Sequence, residues 1–290
     1  MFGPNPLHKI KATSNYSHRD SDFISLYGSI KNALKLKFSL SQYDIILIPG
    51  SATLGLEAII SSLKPEVRII NSNGKFNNRW RDIAEKENSI RPKSNKYDPL
   101  YLSCSLETSM SELCLTGDIL DCVSSFPYYP VPKEARFFVL CGNKQIGAIP
   151  GISIVGVRSD SHHLIQENNR FSLLNLYLHW EFSKKNQTLT TASTIVFENL
   201  LAKIQNFSMR RSASLINSNS ELLSECFGDH VIGEIPCPVI TVPKKLISYD
   251  IARRWQLYGV NSKSKNYQFF TYSGSSRMYK KFIMEVLSDN

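Results

Sequence analysis

The sequence has few cysteines and none in a ligand-like arrangement. The six form no C-x-x-C pair and no cluster with histidine; they are Cys104, Cys114, Cys122, Cys141, Cys226 and Cys237. Disulfide frameworks and structural zinc sites depend on such spacings. We therefore expect reduced thiols, no metal and a cytoplasmic location.

A long apolar run is also missing. The longest, residues 45–60, is interrupted by Pro49-Gly50 and by Glu57, whereas a membrane-spanning helix needs about 20 predominantly apolar residues. Residues 1–6 contain no basic region followed by an apolar stretch, so no signal peptide is predicted. We expect no membrane partner.

Basic residues are in excess, but they are not clustered. The net charge is +9, from 34 Lys and Arg against 25 Asp and Glu. The positive residues are scattered along the chain, without a basic helix or a mixed basic and aromatic motif. This pattern favours a solvated basic surface over a nucleic-acid interface, and a positive surface suits an anionic small molecule.

Apolar runs rich in β-branched residues alternate with amphipathic stretches in the first two thirds of the chain, which indicates an α/β fold with a mostly parallel sheet. We predict strands at residues 43–48, 67–70, 101–105, 119–123, 136–140 and 152–157, with helices at 53–63 and 77–86. A different pattern follows, with helices at 191–207, 249–258 and 277–287 and a strand at 239–242. We therefore predict a large domain over residues 1–190 and a smaller C-terminal α+β domain over residues 191–290.

Small residues follow the first predicted strand. In the stretch Pro49-Gly-Ser-Ala-Thr-Leu-Gly55, a helix would begin with Ser51 or Thr53 near its N-cap. Free N–H groups and the helix dipole at such a turn can bind a phosphate. The stretch is neither a P-loop nor a dinucleotide-binding fingerprint, and an ordinary capped helix start explains it about as well.

Three further residues lie inside, at the end of or just after predicted strands. Each has an ordinary explanation: Phe76 as a core residue at a helix start, Asp121 as the partner of a structural arginine, and Lys144 as a solvated loop charge. Taken in order with the phosphate-binding turn, they supply the parts that pyridoxal phosphate (PLP) needs. These parts are an anion for the ring nitrogen, a flat face for the ring and a lysine for the aldehyde.

Longer stretches carry a family resemblance. Residues 50–58, 73–79, 107–109, 121–126, 143–146 with Pro150-Gly151, and 187–190, together with Gly3-Pro4 and residues 17–23, resemble motifs of class V aminotransferases of PLP fold type I. The sequence looks most similar to the 2-aminoethylphosphonate–pyruvate and alanine–glyoxylate transaminases. The blocks around Asp121 and Asn143-Lys144 are the most specific of these motifs.

The resemblance implies a role for each matching residue. Lys144 would be the Schiff-base lysine and proton shuttle, and Asp121 would hold the protonated pyridine nitrogen. The other cofactor contacts would be Phe76 above the ring, Val123 below it, Thr108 near the phenolic oxygen, and Ser51, Ala52 and Thr53 at the phosphate with Asn143 nearby. Thr190 or Thr191 would reach the phosphate bound by the other subunit, which implies a homodimer with shared active sites.

The implied function is a PLP-dependent aminotransferase. It would move an amino group by ping-pong chemistry between an amino acid, with alanine as the family-like donor, and a small oxo acid or aldehyde. An anionic acceptor would suit the positive surface. Two departures matter. The segment between Ser109 and Asp121 is too short for the usual helix and strand, and residues 269–274 lack the substrate-binding arginine of the family. They keep two alternatives open: a PLP-dependent lyase or decarboxylase of a specialised biosynthetic pathway, and a catalytically degenerate binding protein.

Overall fold

The computed structural model describes residues 17–70, 73–92, 96–167 and 172–289; the Gly3-Pro4 motif lies outside them. Within these residues a central sheet of six strands is accompanied by two short two-stranded ladders. The strands are β1 (Tyr43–Pro49), β2 (Val67–Ile69), β3 (Leu100–Cys104), β4 (Leu106–Glu107), β5 (Glu112–Leu113), β6 (Ile119–Asp121), β7 (Phe137–Cys141), β8 (Ile152–Arg158), β9 (Val239–Pro243) and β10 (Asn266–Phe270).

The central sheet has the strand order β1-β8-β7-β6-β3-β2. Strands β7, β6, β3 and β2 pair in parallel, whereas β8 pairs antiparallel with both β7 and β1. Five strands therefore point in one direction and β8 in the other. All residues of β7 are buried, as expected for a strand covered by helices on both faces. The mostly parallel sheet predicted from the sequence is confirmed.

The helices of the described residues are more numerous than the sequence patterns predicted. They are α1 (Ser21–Lys37), α2 (Ala52–Ser62), α3 (Lys75–Ile90), α4 (Leu176–Lys184), α5 (Thr194–Asn206), α6 (Met209–Phe227), α7 (Tyr249–Arg254) and α8 (Ser276–Asp289). We did not predict α1, α4, α6 or strand β10. The helix predicted to continue to residue 258 ends at Arg254, because Gln256 adopts a positive φ of 50°, outside the right-handed helical region.

Successive residues of β1 face opposite layers of core. Ile45 and Leu47 pack with α1 and α5, whereas Ile46 and Ile48 pack with α2, α3 and α4. This two-sided burial makes β1 a continuous apolar run in the sequence. Helix α5 packs directly against α1 and shares its core, so its contacts lie with the sheet although it follows residue 190. The domain boundary at residue 190 stays a prediction.

A separate core forms near the C-terminus. The antiparallel pair β9–β10, with Ile240 opposite Phe269, is covered by α6, α7 and α8. Residues of α6 such as Leu223 pack in this core with Phe282 of α8. A single antiparallel ladder covered by helices is the small α+β unit that the sequence predicted.

The connection between the parallel strands β3 and β6 is short. Residues 105–118 form the hairpin β4–β5, in which Glu107 lies opposite Glu112. A hairpin occupies the place where parallel neighbours usually have a helical crossover. The shortened segment between Ser109 and Asp121 is thus a compact turn that holds Glu107, Thr108 and Ser109 beside the sheet.

Candidate active site

All the residues predicted from strand–loop junctions lie at one edge of the sheet. Ser51 follows β1, Phe76 follows β2, Asp121 ends β6, and Lys144 follows β7. These strands share one direction, so their carboxyl ends meet at the same edge, the usual ligand-binding edge of open α/β sheets. The sheet therefore brings residues from four separate parts of the sequence to one place.

Asp121 is buried, with 4% of its surface exposed. Its Oδ1 accepts the backbone N–H of Val123 at 3.1 Å, and its Oδ2 accepts the indole Nε1–H of Trp80 at 3.0 Å. Burial raises the pKa of the carboxyl above its ordinary value, while the Val123 N–H, the charge of Lys144 and the Trp80 N–H act against that rise. Burial without a neighbouring positive charge would favour the neutral acid.

Lys144 lies in a tight loop after β7. The turn is closed by bonds from Gly147 N–H to the Lys144 carbonyl at 2.9 Å and from Ala148 N–H to the Gly142 carbonyl at 2.7 Å. The amine is half-buried rather than fully enclosed, and its Nζ donates to Ser124 Oγ at 2.7 Å. The loop after β7 thus contacts the loop after β6, which follows Asp121 and contains Ser124.

Gln145 fixes these two loops to each other. Its buried amide donates to the carbonyls of Ser124 at 2.8 Å and Ser125 at 3.0 Å, and accepts the Tyr128 N–H at 3.1 Å. Side-chain amides that satisfy several backbone groups hold loops in one conformation. The positions of Lys144 and Asp121 are therefore coupled through residues 124–128.

Phe76 lies in the first turn of α3, which begins at Lys75 and has Gly74 as its N-cap. In place of a capping side chain from Gly74, the buried carboxylate of Glu107 accepts the N–H groups of Phe76 and Asn77 at 2.9 and 3.0 Å. A Cβ at Gly74 would lie 2.3 Å from Glu107 Cγ, so glycine is required here. Thr108, next to Glu107, is buried, and its carbonyl accepts a bond from Gln268 of β10.

The turn after β1 forms a capped helix start, as predicted. Ser51 is the N-cap of α2, and its Oγ accepts the Leu54 N–H at 3.4 Å. Ser51 is exposed, and Ala52 and Thr53 are partly exposed. The N–H groups of a first helical turn lack partners within the helix, so this end of α2 can bind an anion.

Other predicted contacts are less defined. Val123 is half-buried beside the core that contains α2 and α3, and Asn143 precedes Lys144 in the same loop. Thr190 is partly exposed, with its carbonyl bonded to Thr188 Oγ1 at 2.7 Å, and Thr191 is exposed. The cofactor and subunit roles of these four residues stay predictions.

Residues 269–274 lie at the end of β10 and beyond it. Phe269 is fully buried in the small core, and Thr271 is buried with its Oγ1 bonded to the Cys237 carbonyl at 2.6 Å. Arg254 is one candidate to replace the positive charge of the family's substrate-binding arginine, and it forms an ion pair with Glu285 on α8 at 3.1 Å. The segment that carries an arginine in the family is therefore core structure in this chain.

A cavity of about 660 Å³ opens beside Phe76 and Thr108. Its opposite wall is formed by residues between Gln256 and Gln268 of the small α+β unit. Among the described residues that line it, Lys75 is the only one with a charged side chain. The remaining lining is apolar groups, amides and hydroxyls, a composition typical of small-molecule sites.

Sequence reasoning missed four residues of this region: Trp80, Glu107 as a cap, Ser124 and Gln145. Trp80 follows Phe76 by four residues, which places both on one face of α3, so the spacing was available in the sequence. The other three make contacts with residues more than 15 positions away, and only the fold reveals them.

No protein-family model and no curated protein matches this sequence. Solved structures do match the fold. The aspartate aminotransferase of subgroup IV from Thermus thermophilus is 18% identical with a TM-score of 0.82, covering 99% of this chain and 98% of that chain. The alanine–glyoxylate aminotransferase from Nostoc sp. is 18% identical with a TM-score of 0.77, covering 95% and 90%. The PLP-bound phosphoserine aminotransferase from Trichomonas vaginalis is 12% identical with a TM-score of 0.73, covering 94% and 90%.

At these identities the likeness concerns the fold. The chain has the α/β fold of these aminotransferases over nearly its whole length, which is the PLP fold type I predicted from the motifs. What the fold does in this chain has to be argued from the site itself.

Proposed function

We propose that the chain is a PLP-dependent aminotransferase that transfers an amino group between an alanine-like amino acid and a small oxo acid or aldehyde. The observation that carries the proposal is the arrangement of Asp121 and Lys144. They lie at the ends of the adjacent parallel strands β6 and β7, and their loops are joined by the 2.7 Å bond from Lys144 Nζ to Ser124 Oγ.

The residues present fit the cofactor. A carboxylate offers about four acceptor positions, and Asp121 uses two of them for neutral N–H donors. A protonated ring nitrogen would supply the positive charge that a buried carboxylate favours. Phe76 offers a flat apolar face, and the start of α2 at Ser51 offers N–H groups to a phosphate.

Each residue would then have a defined task. PLP supplies an aldehyde that carries the amino group and a pyridinium ring that withdraws electrons from the substrate. Asp121 would hold the proton at the ring nitrogen, and Lys144 Nζ would move a proton to and from the substrate Cα. Ser124 Oγ would accept a hydrogen bond from the Lys144 amine when that amine is not bonded to the cofactor. Phe76 would orient the ring and exclude water.

The cavity beside Phe76 is the proposed binding site of the substrate. Lys75 lines it, with Nζ 5.9 Å from the centroid of the Phe76 ring. An ammonium at the rim of a mostly uncharged cavity would attract a carboxylate or a similar anionic group. Lys75 is thus the residue we propose to take over part of the role of the missing arginine.

We further propose a cytoplasmic homodimer with shared active sites. All six cysteines are free thiols, which suits a reducing compartment, and no helix among the described residues is long and apolar enough to cross a membrane. Thr190 and Thr191 lie in an accessible segment before α5, from which they would contact the cofactor phosphate of the other subunit.

The test is the visible spectrum of the purified protein with PLP, before and after addition of alanine. Lys144→Ala is compared with Lys184→Ala, since Lys184 pairs with Glu181 on α4 and is not among the proposed site residues. We expect a band near ~420 nm, typical of lysine-bound PLP, in the wild type and in Lys184→Ala. Alanine should remove this band as the amino group is transferred, and Lys144→Ala should lack it.

The other outcomes contradict the proposal in different ways. A band that persists through a panel of amino donors would favour a PLP-dependent lyase or decarboxylase over an aminotransferase. The absence of any band or PLP binding in the wild type would leave the fold as a scaffold without this chemistry.

A further inference from the structure

We propose that Trp80 is a positioning residue for Asp121. Helix α3 would then hold Phe76, the proposed ring-stacking residue, and Trp80 as one rigid unit. The inference rests on the proposed function for the identity of the cofactor. Its central contact does not: it is the 3.0 Å bond from Trp80 Nε1–H to Asp121 Oδ2, between two residues that are 2% and 4% exposed.

Trp80 and Phe76 are one helical turn apart on α3, so both point to the same side of the helix. The indole is a donor only, and with the Val123 N–H on Oδ1 it holds both oxygens of Asp121. The carboxylate is therefore fixed in one orientation before any ligand binds.

Asp121 must be ionised to hold a proton at a ring nitrogen, yet burial raises its pKa. The Trp80 N–H stabilises the charged form, and in a buried site a hydrogen bond to a charged group is worth more than one between neutral groups. Trp80 would therefore keep the carboxylate ionised without adding a second positive charge that would compete with the pyridinium.

Helix α3 is held in place at its start. The carboxylate of Glu107 accepts two N–H groups at the start of the helix and also the Ser109 N–H and hydroxyl, at 3.1 and 2.6 Å. A shift of α3 would break this cap, and it would move Phe76 and Trp80 together. The helix would thus couple Phe76, the proposed stacking residue, to Asp121, the proposed partner of the ring nitrogen.

The decisive experiment compares Trp80→Phe with Trp255→Phe. Phenylalanine keeps an aromatic ring but removes the N–H donor. Trp255 is the control because its Nε1–H also donates to a carboxylate, that of Glu285 at 2.9 Å, and its ring packs against the small core. In the apo protein, carbon-13 NMR of labelled aspartate carboxyls, assigned with Asp121→Asn, gives the pKa of Asp121 directly.

We expect Trp80→Phe to raise the Asp121 pKa and Trp255→Phe to leave it unchanged. In the PLP-loaded protein, Trp80→Phe should also weaken PLP binding by at least about tenfold, the lower end of the value of one hydrogen bond to a charged group. It should also move the acid limb of the pH profile of kcat to higher pH. An unchanged Asp121 titration in folded Trp80→Phe, or an equal effect of Trp255→Phe, would overturn the proposal.

A measurement on the wild type covers the case in which Trp80→Phe does not fold. The Trp80 indole N–H resonance should follow the titration of Asp121 in the wild type and lose this dependence in Asp121→Asn. An indole resonance that ignores the titration would contradict the proposal. Because these readouts use apo protein, they remain informative if the wild type binds no PLP. A failure to bind PLP would contradict only the proposed function.

Discussion

Glu107 caps the helix that carries Phe76. Its Oε2 accepts the Phe76 N–H at 2.9 Å, although the two residues are 31 positions apart, and its side chain is fully buried. A negative charge at the N-terminus of a helix is stabilised by the helix dipole. The short β4–β5 hairpin places Glu107 at the start of α3. The shortened crossover therefore helps to build the candidate site.

Glu107→Gln should destabilise the protein and weaken PLP binding. The amide has one oxygen, so its NH₂ group would face either the N–H groups at the start of α3 or the N–H and hydroxyl of Ser109. We expect a loss of about 1–3 kcal/mol in the free energy of unfolding, the cost of an unsatisfied buried donor. Glu112→Gln, on the opposite strand of the hairpin and exposed, is the control in denaturant melts. Equal losses in the two variants would contradict the capping role.

The sequence predicted the large-scale architecture because buried strands are continuous apolar runs. Strands β1, β7 and β8 were found within one or two residues of their observed ends. Helix α6 was missed for a physical reason: its buried face includes Asn219 and Ser220, which obscure the apolar repeat. Asn219 is buried because its Nδ2 donates to the Thr271 carbonyl at 2.7 Å, a contact that only the fold creates.

The site was predictable to the extent that motifs carry it. Asp121 and Lys144 stood out because they are charged residues at or just after the ends of apolar strands. The bond from Trp80 to Asp121 joins residues 41 positions apart, and no local pattern specifies which tryptophan reaches which acid. The burial of residues 269–274 was likewise not deducible, because it depends on how β10 packs against α6 and α8.

Gly55→Ala should displace the start of α2. A Cβ at Gly55 would lie 2.0 Å from Ser153 Oγ on β8, and overpacking of this kind costs about 1–3 kcal/mol. Ser153 Oγ is buried without a hydrogen-bond partner among the described residues, so Ser153→Ala should be tolerated and should partly rescue Gly55→Ala. Thermal melts and PLP titrations of the single and double variants measure this. Strictly additive losses would contradict direct packing of Gly55 on Ser153.

Lys75→Met should raise KM for an anionic oxo acid and leave kcat nearly unchanged. Methionine keeps an apolar side chain of similar length and removes the charge at the cavity rim. Because Lys75 is exposed, we expect a modest change of about two- to fivefold, as for other exposed ion pairs. Lys86→Met, on an exposed position of the same helix, controls for net charge. A neutral aldehyde acceptor should show no effect, and an equal effect on both acceptors would argue against an ionic contact.

His179 should make the folded state sensitive to acid. It is buried in α4, where burial lowers its pKa below 6.5, opposed by its bond to the Leu173 carbonyl. Between 6.5 and the lower folded pKa, the unfolded chain binds a proton that the folded chain does not, so stability falls as pH falls through this window. The slope is at most about 1.4 kcal/mol per pH unit. His179→Gln should flatten this slope in melts from pH 7.5 to 5, and exposed His163→Gln is the control. An unchanged slope in His179→Gln would contradict the assignment.

Subunit mixing tests the shared active site. If Thr190 and Thr191 of one subunit serve the phosphate site of the other, Lys144→Ala and the double variant Thr190→Ala/Thr191→Ala carry defects in different halves of each site. In a mixed dimer, one site then receives both defects, whereas the other receives an intact lysine and intact threonines.

Random exchange of the two inactive variants makes about half of the dimers mixed, and in a two-fold symmetric assembly each of these has one intact site. We therefore expect about a quarter of the wild-type activity to return on mixing. Mixing Lys144→Ala with Asp121→Asn is the control. When both residues of a site come from the same chain, each site of the mixed dimer carries one defect. An intact site could form only if Asp121 and Lys144 acted from different chains. Since Asp121 and Lys144 lie on adjacent strands of one chain, that pair should restore nothing. Recovery in the control, or none with the threonine variant in dimers shown to exchange, would contradict the proposed sharing.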